Sequence, residues 1–211
     1  MRSSQQDVTR QTPGPEASVG AEIRELRKAR GFTLKTLSER TGRSIAYLSR
    51  IERGDSRISV DLLHDIGTAL NVDPRWFFPE RSGKGPLERA CVVRARARRP
   101  LSQLYTRSFA ELGFQDELLS GSLAGGYYMI LSRFPPGPSQ LEHPEEGYVF
   151  EGEQHGLVIK GRMEMTLGDE VIVLEAGDSF SYDSMLPHRF RNPGSSEAEV
   201  VWSMAPVRIN W

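Results

Sequence analysis

Thr33-Leu34-Lys35-Thr36-Leu37-Ser38-Glu39-Arg40-Thr41-Gly42-Arg43-Ser44-Ile45-Ala46-Tyr47-Leu48-Ser49-Arg50-Ile51-Glu52-Arg53-Gly54 holds two short helical patterns with a glycine turn between them. Thr33 is a good N-cap, because its hydroxyl can accept a free backbone N–H of the first turn, and it opens a helix from Leu34 to about Thr41. Gly42 ends that helix in a tight turn. Ser44 caps the next helix, Ile45 to Arg53, and Gly54 stops it. Leu37, Ile45, Leu48 and Ile51 are expected to form the core between the two. Working outward, Ile23, Leu26 and the Ala29–Arg30 end lie on one upstream helical stripe closed by Gly31. Downstream, Ser59 caps a helix from Val60 to Leu70, with Leu62, Leu63, Ile66 and Leu70 apolar. Asp73-Pro74 then starts a short fifth helix through Phe77.

Two short helices joined through a glycine turn make the helix-turn-helix pattern, whose second helix enters the DNA major groove by its N-terminal half. The exposed positions there are Arg43, Ser44, Ala46, Tyr47, Ser49, Arg50 and Arg53. Ser44 and the free N–H groups at its helix end suit a phosphate. Arg50 has the reach to bond guanine bidentately, and Ala46 and Tyr47 suit contact with a thymine methyl. Arg43, Arg53 and Arg57 suit phosphates, which add affinity and salt dependence without sequence choice. The alternative is a helical bundle whose arginines are merely solvated. The run Ile23-Arg24-Glu25-Leu26-Arg27, then Thr33 to Ser38, then Ile45 to Gly54 resembles the phage-repressor (XRE) class of helix-turn-helix domains. That resemblance places base-reading positions on Ile45, Ala46, Tyr47 and Arg50, and a phosphate contact on Thr33. Since Ile45 and Ala46 have no hydrogen-bonding side chain, readout falls mainly to Arg50, with Tyr47 and Arg43 assisting.

Charge separates the chain into unlike parts, although the net charge is only −1. Residues 19–58 carry ten Lys/Arg against five Asp/Glu, and residues 81–100 carry seven against one. Residues 101–211 carry seven Lys/Arg against sixteen Asp/Glu. A basic module suits a polyanion, and the acidic remainder suits a different partner. The expected organisation is a disordered arm over 1–18, a helix-turn-helix domain over 19–79, a linker over 80–90 and a second domain over 91–211. No run of 18 apolar residues exists, so no membrane partner is expected. The polar N-terminus lacks the apolar core of a secretory signal, and the one cysteine, Cys91, cannot make an intrachain disulfide; both suit the cytoplasm.

From Cys91 onward, short alternating or apolar runs broken by Gly and Pro predict an antiparallel sandwich or barrel. Tyr127–Phe134, Leu157–Ile159, Met163–Leu167, Val171–Leu174, Ser179–Tyr182 and Val200–Met204 are such runs. Cys91 falls in an expected strand. The basic run Arg94, Arg96, Arg98, Arg99 reads as an alternating strand with Val93, Ala95 and Ala97 inward, or as additional phosphate contacts. Period-two alternation puts Val158 on the same face as Gln154. Phe180 with Tyr182, and Met163 with Met165, likewise share faces. Arg133, Gln154, Val158, Met163, Met165, Phe180, Tyr182 and His188 are the candidate effector-binding residues; plain core is the competing reading for the apolar ones.

Three phrases, Val158–Glu164, Leu174–Phe180 and Leu186–Asn192, resemble the cupin family. The resemblance implies a jelly-roll (double-stranded β-helix) barrel behind an all-α bundle of about five helices, a bacterial-type regulator architecture. It implies partners of three kinds: an inverted-repeat operator in double-stranded DNA, a small-molecule effector and a second copy of the chain. Many cupins hold a divalent metal through two histidines, a glutamate and a last histidine. His188 matches the last ligand, but the glutamate position is Gln154 and the histidine before it is Phe150. A bound metal is therefore disfavoured as a cofactor; if present, it would sit on His188 with Gln154 and His143, with Glu151, Glu153 and His155 nearby. A cupin oxygenase or epoxidase carrying a helix-turn-helix domain is the alternative function. It needs a His/Glu/His iron site, which Phe150 and Gln154 argue against.

Overall fold

The computed structural model describes residues 15–81, 86–104, 113–137 and 149–209. The first domain is a helical bundle of α1 (Pro15–Ala29), α2 (Leu34–Thr41), α3 (Ile45–Arg53) and α4 (Val60–Leu70), closed by a 3-10 turn over Pro74–Phe77. The expected caps set the boundaries. Thr33 accepts from the Thr36 N–H, Ser44 from Tyr47, Ser59 from Leu62, and Asp73 from Arg75. Gly42 and Gly54 stop α2 and α3 at φ 65° and 78°, a left-handed conformation that a Cβ disfavours. Ile23, Leu26, Leu37, Leu48, Ile51, Leu62, Ile66, Trp76 and Phe77 fill the core. Ile45 does not join them. It is 47% exposed, because as the first residue of α3 it projects past the end of the α2–α3 contact.

Backbone packs on backbone where α1 crosses α3. A Cβ built on Gly20 would lie 2.1 Å from the Ile51 carbonyl oxygen. Beside this crossing, Arg27 of α1 holds the buried carboxylate of Glu52 on α3 by two bonds, Nε to Oε1 at 2.6 Å and Nη2 to Oε2 at 2.9 Å. Its Nη1 donates to the Phe32 carbonyl at 2.6 Å, so the same side chain ties down the turn before α2.

Two expectations for the boundaries change. α1 begins at Pro15, inside the expected arm 1–18, of which residues 1–14 lie outside the described residues. Proline suits a first helical turn, where its missing N–H has no partner to lose. The expected linker 80–90 contains most of a short helix, α5 (Pro86–Cys91), so Cys91 is helical and not in a strand. The run 94–98 is not a strand either. Ala95–Ala97 form a 3-10 turn, and the arginines around it pair with Glu88 (Arg94), Glu80 (Arg96) and Glu117 (Arg98). Alternation alone cannot make a strand without a neighbour to bond to.

The second domain is two antiparallel sheets. One runs β1-β2-β3-β9-β4-β7, with β1 Arg99–Pro100, β2 Gln115–Leu118, β3 Tyr128–Phe134, β4 Glu153–Lys160, β7 Ser179–Asp183 and β9 Ala198–Ala205. The other runs β6-β5-β8, with β5 Arg162–Leu167, β6 Glu170–Glu175 and β8 His188–Arg191. Every apolar run picked out downstream of residue 127 lies on one of these strands. Alternation decides what faces inward: β4 buries Gln154, Gly156 and Val158 and exposes the residues between them. Side chains of the two sheets meet in the middle, where the Phe190 and Trp202 rings stand 4.8 Å apart, edge to face. The arrangement is that of the cupin sandwich.

Candidate DNA interface and ligand cleft

The N-terminal half of α3 stands clear of the bundle. Arg43, Ser44, Ile45, Ala46 and Arg50 are exposed, and Tyr47 and Ser49 half so. Arg50 lays its guanidinium over the Tyr47 ring, 5.8 Å from its centroid, and has no carboxylate partner among the described residues. The Tyr47 hydroxyl donates to the Arg57 carbonyl at 3.4 Å, which draws the loop after α3 onto the same face. Arg43 reaches Asp65 on α4 at 3.4 Å. Arg53 is held by Asp55 and by the Ser49 hydroxyl, both at 2.6 Å. Thr33 is exposed at the head of α2, where its hydroxyl serves as the cap. All ten sequence-predicted residues of this surface are exposed or half-exposed. Two of the arginines are braced by acids, whereas Arg50 is not.

The inward-facing residues expected to bind an effector divide into two groups. Val158, Met163 and Met165 are buried core of the sandwich. Gln154, Tyr182 and His188 cluster at one end of it, with Phe180 stacked on Tyr182 at 6.4 Å. Arg133 joins neither group. It is drawn into an ion pair with Glu117 on the neighbouring strand β2, at 3.1 Å.

Next to the Gln154 cluster opens a cleft of about 360 Å³. Tyr128, Gln154, Ser184 and Met204 line it, with Phe150 packed edge-on to His188 at 5.6 Å. Glu151, Glu153 and Arg208 supply charge at its exposed parts. Sequence reasoning missed Tyr128, Ser184, Met204 and Arg208. They come from three separate stretches, and no local pattern joins them.

The polar groups at this end are incompletely satisfied. Tyr182 Oη and Ser184 Oγ here, and Trp202 Nε1 in the middle of the sandwich, are buried with no hydrogen-bond partner among the described residues. Each such group costs roughly 1–3 kcal/mol unless something supplies a bond. Burial pushes the Tyr182 phenol well above its ordinary range, so it stays a protonated donor. His188 Nδ1 donates to the Leu186 carbonyl at 2.8 Å, which leaves Nε2 facing Gln154 Nε2 at 3.5 Å. Burial lowers the His188 pKa, partly opposed by that carbonyl, so the neutral imidazole is the folded form. Among the described residues no three His, Cys, Asp or Glu side chains gather as a metal site. His143 lies outside the described residues.

The shift has a sign that can be checked. An unfolded His188 takes its proton near 6.5, while the folded one resists it. The unfolded chain therefore gains protons first as the pH falls, and stability drops below about pH 6.5. We expect the thermal midpoint of the β domain, followed by tryptophan fluorescence, to fall more steeply from about pH 7 to about pH 5 in the wild type than in a His188→Phe variant. Parallel profiles would remove His188 as the responsible group.

Comparison with known proteins matches both halves. Residues 23–77 match the helix-turn-helix family model, and residues 130–204 match the cupin domain model. A Rhodospirillum rubrum protein named as an uncharacterized transcriptional regulator in the ATPase CF(0) region is 34% identical over 93 residues, covering 41% of this chain and 86% of its own. This chain belongs to the helix-turn-helix transcriptional regulators. The HTH-type transcriptional regulator SutR of Escherichia coli is 27% identical over 177 residues, covering 82% of this regulator and 85% of SutR, so the likeness runs through both domains. The hydroxypropylphosphonic acid epoxidase from S. wedmorenis overlays 90% of the regulator and 97% of itself, at 14% identity and a TM-score of 0.42, which carries no chemistry across. The alternative of an oxygenase or epoxidase thus gives way to a DNA-binding regulator with a cupin domain. No helix among its described residues is long and apolar enough to cross a membrane.

Proposed function

We propose that the regulator reads an inverted-repeat operator as a homodimer, and that a small molecule in the cupin cleft modulates that binding. The observation that carries the reading is the clear face of α3, capped by Ser44 and led by an Arg50 free of any acid among the described residues. Arg50 reads a base edge, aided by Tyr47 and by apolar contact from Ile45 and Ala46. Arg43, Ser44, Ser49, Arg53, Arg57 and Thr33 hold phosphates and fix the register. One such head covers only a short half-site, which is the reason for pairing two chains. Leu157 and Ile159 on β4, and Val171 and Val173 on β6, are exposed apolar side chains suited to the contact between cupin domains. The effector is a small polar molecule that bonds Gln154 and Ser184 and lays an apolar part on Met204 and Phe150. Neutral His188 and the Tyr182 hydroxyl support it from below.

Selection of random duplex DNA on the purified protein, with affinity followed against salt, tests this reading. The expected product is an inverted repeat with half-site centres about 34–36 Å, or a multiple, apart. Log affinity should fall linearly with log salt, as arginine–phosphate contacts require. Failure of the folded protein to enrich any sequence would overturn it.

A further inference from the structure

After β9 the chain runs along the cleft and then into the other domain. Ala205, Pro206 and Arg208 line the cleft, while Val207 and Ile209 face away from it and are buried, Ile209 completely. Ile209 docks at the C-terminal end of α1. Its N–H donates to the Ala29 carbonyl at 2.9 Å, and its own carbonyl accepts from Arg30 Nη1 at 2.8 Å. Arg30 Nη2 donates to the Leu104 carbonyl, so this side chain grips both the end of the β domain and its entry. At the cleft end, the Tyr128 hydroxyl donates to the Arg208 carbonyl at 3.2 Å. Exposure alternates along the segment, with Pro206 and Arg208 exposed and Val207 and Ile209 buried, so a few residues serve the cleft and the interior by turns.

Arg30 follows Arg27 by three residues, one position past the end of α1, and its N–H still donates to the Leu26 carbonyl at 2.9 Å. Arg27 in turn holds Glu52 of the reading helix. The other described bonds between the domains, Arg81 and Arg99 to Glu22, Arg99 to the Trp76 carbonyl, Arg96 to Glu80 and the Leu123 N–H to Glu25, involve no residue of the cleft. Among the described residues, the 205–209 segment alone both lines the cleft and bonds to the helical domain.

We propose that residues 205–209 are the strap through which occupancy of the cleft reaches the DNA-binding helix. An occupant that displaces Pro206 or Arg208 shifts Ile209 on Ala29 and Arg30, and so shifts the α1 seat on which α3 rests. The inference rests on the effector reading of the cleft, but it is testable without the natural effector. An occupant alters DNA affinity only as far as it prefers one seating of the strap over the other.

The probe is a covalent occupant. Cys91 is exposed and is the one cysteine of the chain, so a Cys91→Ser, Val149→Cys protein takes N-phenylmaleimide at the cleft alone. Its affinity for the selected operator is compared with and without the adduct, in the intact frame, in Arg30→Met, and in a chain ended after Pro206. Ile209→Ala serves as the milder strap variant, and circular dichroism checks that each protein is folded. We expect the adduct to change operator affinity about fivefold or more with the strap intact, and less than about twofold in the strap variants. Amide exchange at Ile209 should quicken with the adduct. An equal change in affinity with and without the strap overturns the proposal while leaving the cleft as an effector site. No change in affinity with the strap intact overturns it as well, whatever small molecule later proves to bind. Failure of every small molecule to bind the unlabelled protein would instead count against the effector reading, since the adduct needs no affinity of its own.

Discussion

Arg27→Met should cost about 3–5 kcal/mol and melt the helical domain well before the β domain, because it leaves the Glu52 carboxylate buried without a counter-charge. Both side chains of the pair are more than nine-tenths buried, and the guanidinium makes its two bonds side by side. The third bond, to the Phe32 carbonyl, goes too. The loss falls on α1 and α3 together, so DNA binding goes with it. The pair as a whole adds far less than either partner's removal suggests, since two buried charges must be stripped of water to form it. An Arg27→Met, Glu52→Leu protein, apolar at both positions, is therefore expected to recover most of the stability. Urea unfolding followed by helical circular dichroism on the two single variants and the double one gives the cycle. A single-variant loss below about 1 kcal/mol would show that water reaches Glu52 and that the pair is not what seats the reading helix.

Arg50→Ala should leave the fold untouched and remove sequence choice. The side chain is exposed and lies over the Tyr47 ring, so its loss opens no cavity. A bidentate arginine–guanine pair is worth about 1–3 kcal/mol of discrimination, roughly 5–150-fold between the operator and a changed base. Arg57→Ala is the contrast. It should weaken binding to all sequences alike and reduce the salt slope by about one. Fluorescence anisotropy on operator and scrambled duplexes, at several salt concentrations, separates the two effects. Unchanged operator preference in Arg50→Ala would take base reading away from this side chain.

The two variants also mark where sequence suffices. Arg50 could be chosen from the chain alone, because the cap at Ser44 and the stop at Gly54 define the helix and its spacing defines the outer face. Arg27 and Glu52 are, in the sequence, two charges 25 residues apart on helices that carry many others. Only the crossing at Gly20 brings them together and takes both out of water.

The same division runs through the molecule. The sequence by itself determined the helix ends, since a cap or a left-handed glycine acts within three or four residues, and it determined which strand residues face inward, since the pleat has period two. It determined less where a pattern needs a distant partner. Arg94 to Arg99 alternate as a strand does, yet Glu80, Glu88 and Glu117 hold the middle of the run in a turn. Ile45 has the spacing of a core residue and projects past the edge of the core. Arg133 has the character of a ligand anchor and is taken by Glu117. The cleft and the strap were decided by tertiary structure alone. Tyr128, Gln154, Ser184 and Arg208 meet because β3, β4 and β9 lie side by side in the sheet, and Ile209 meets Ala29 across nearly the whole chain. Closing loops of that length depends on the packing of the entire sandwich, and no local run of side chains encodes it.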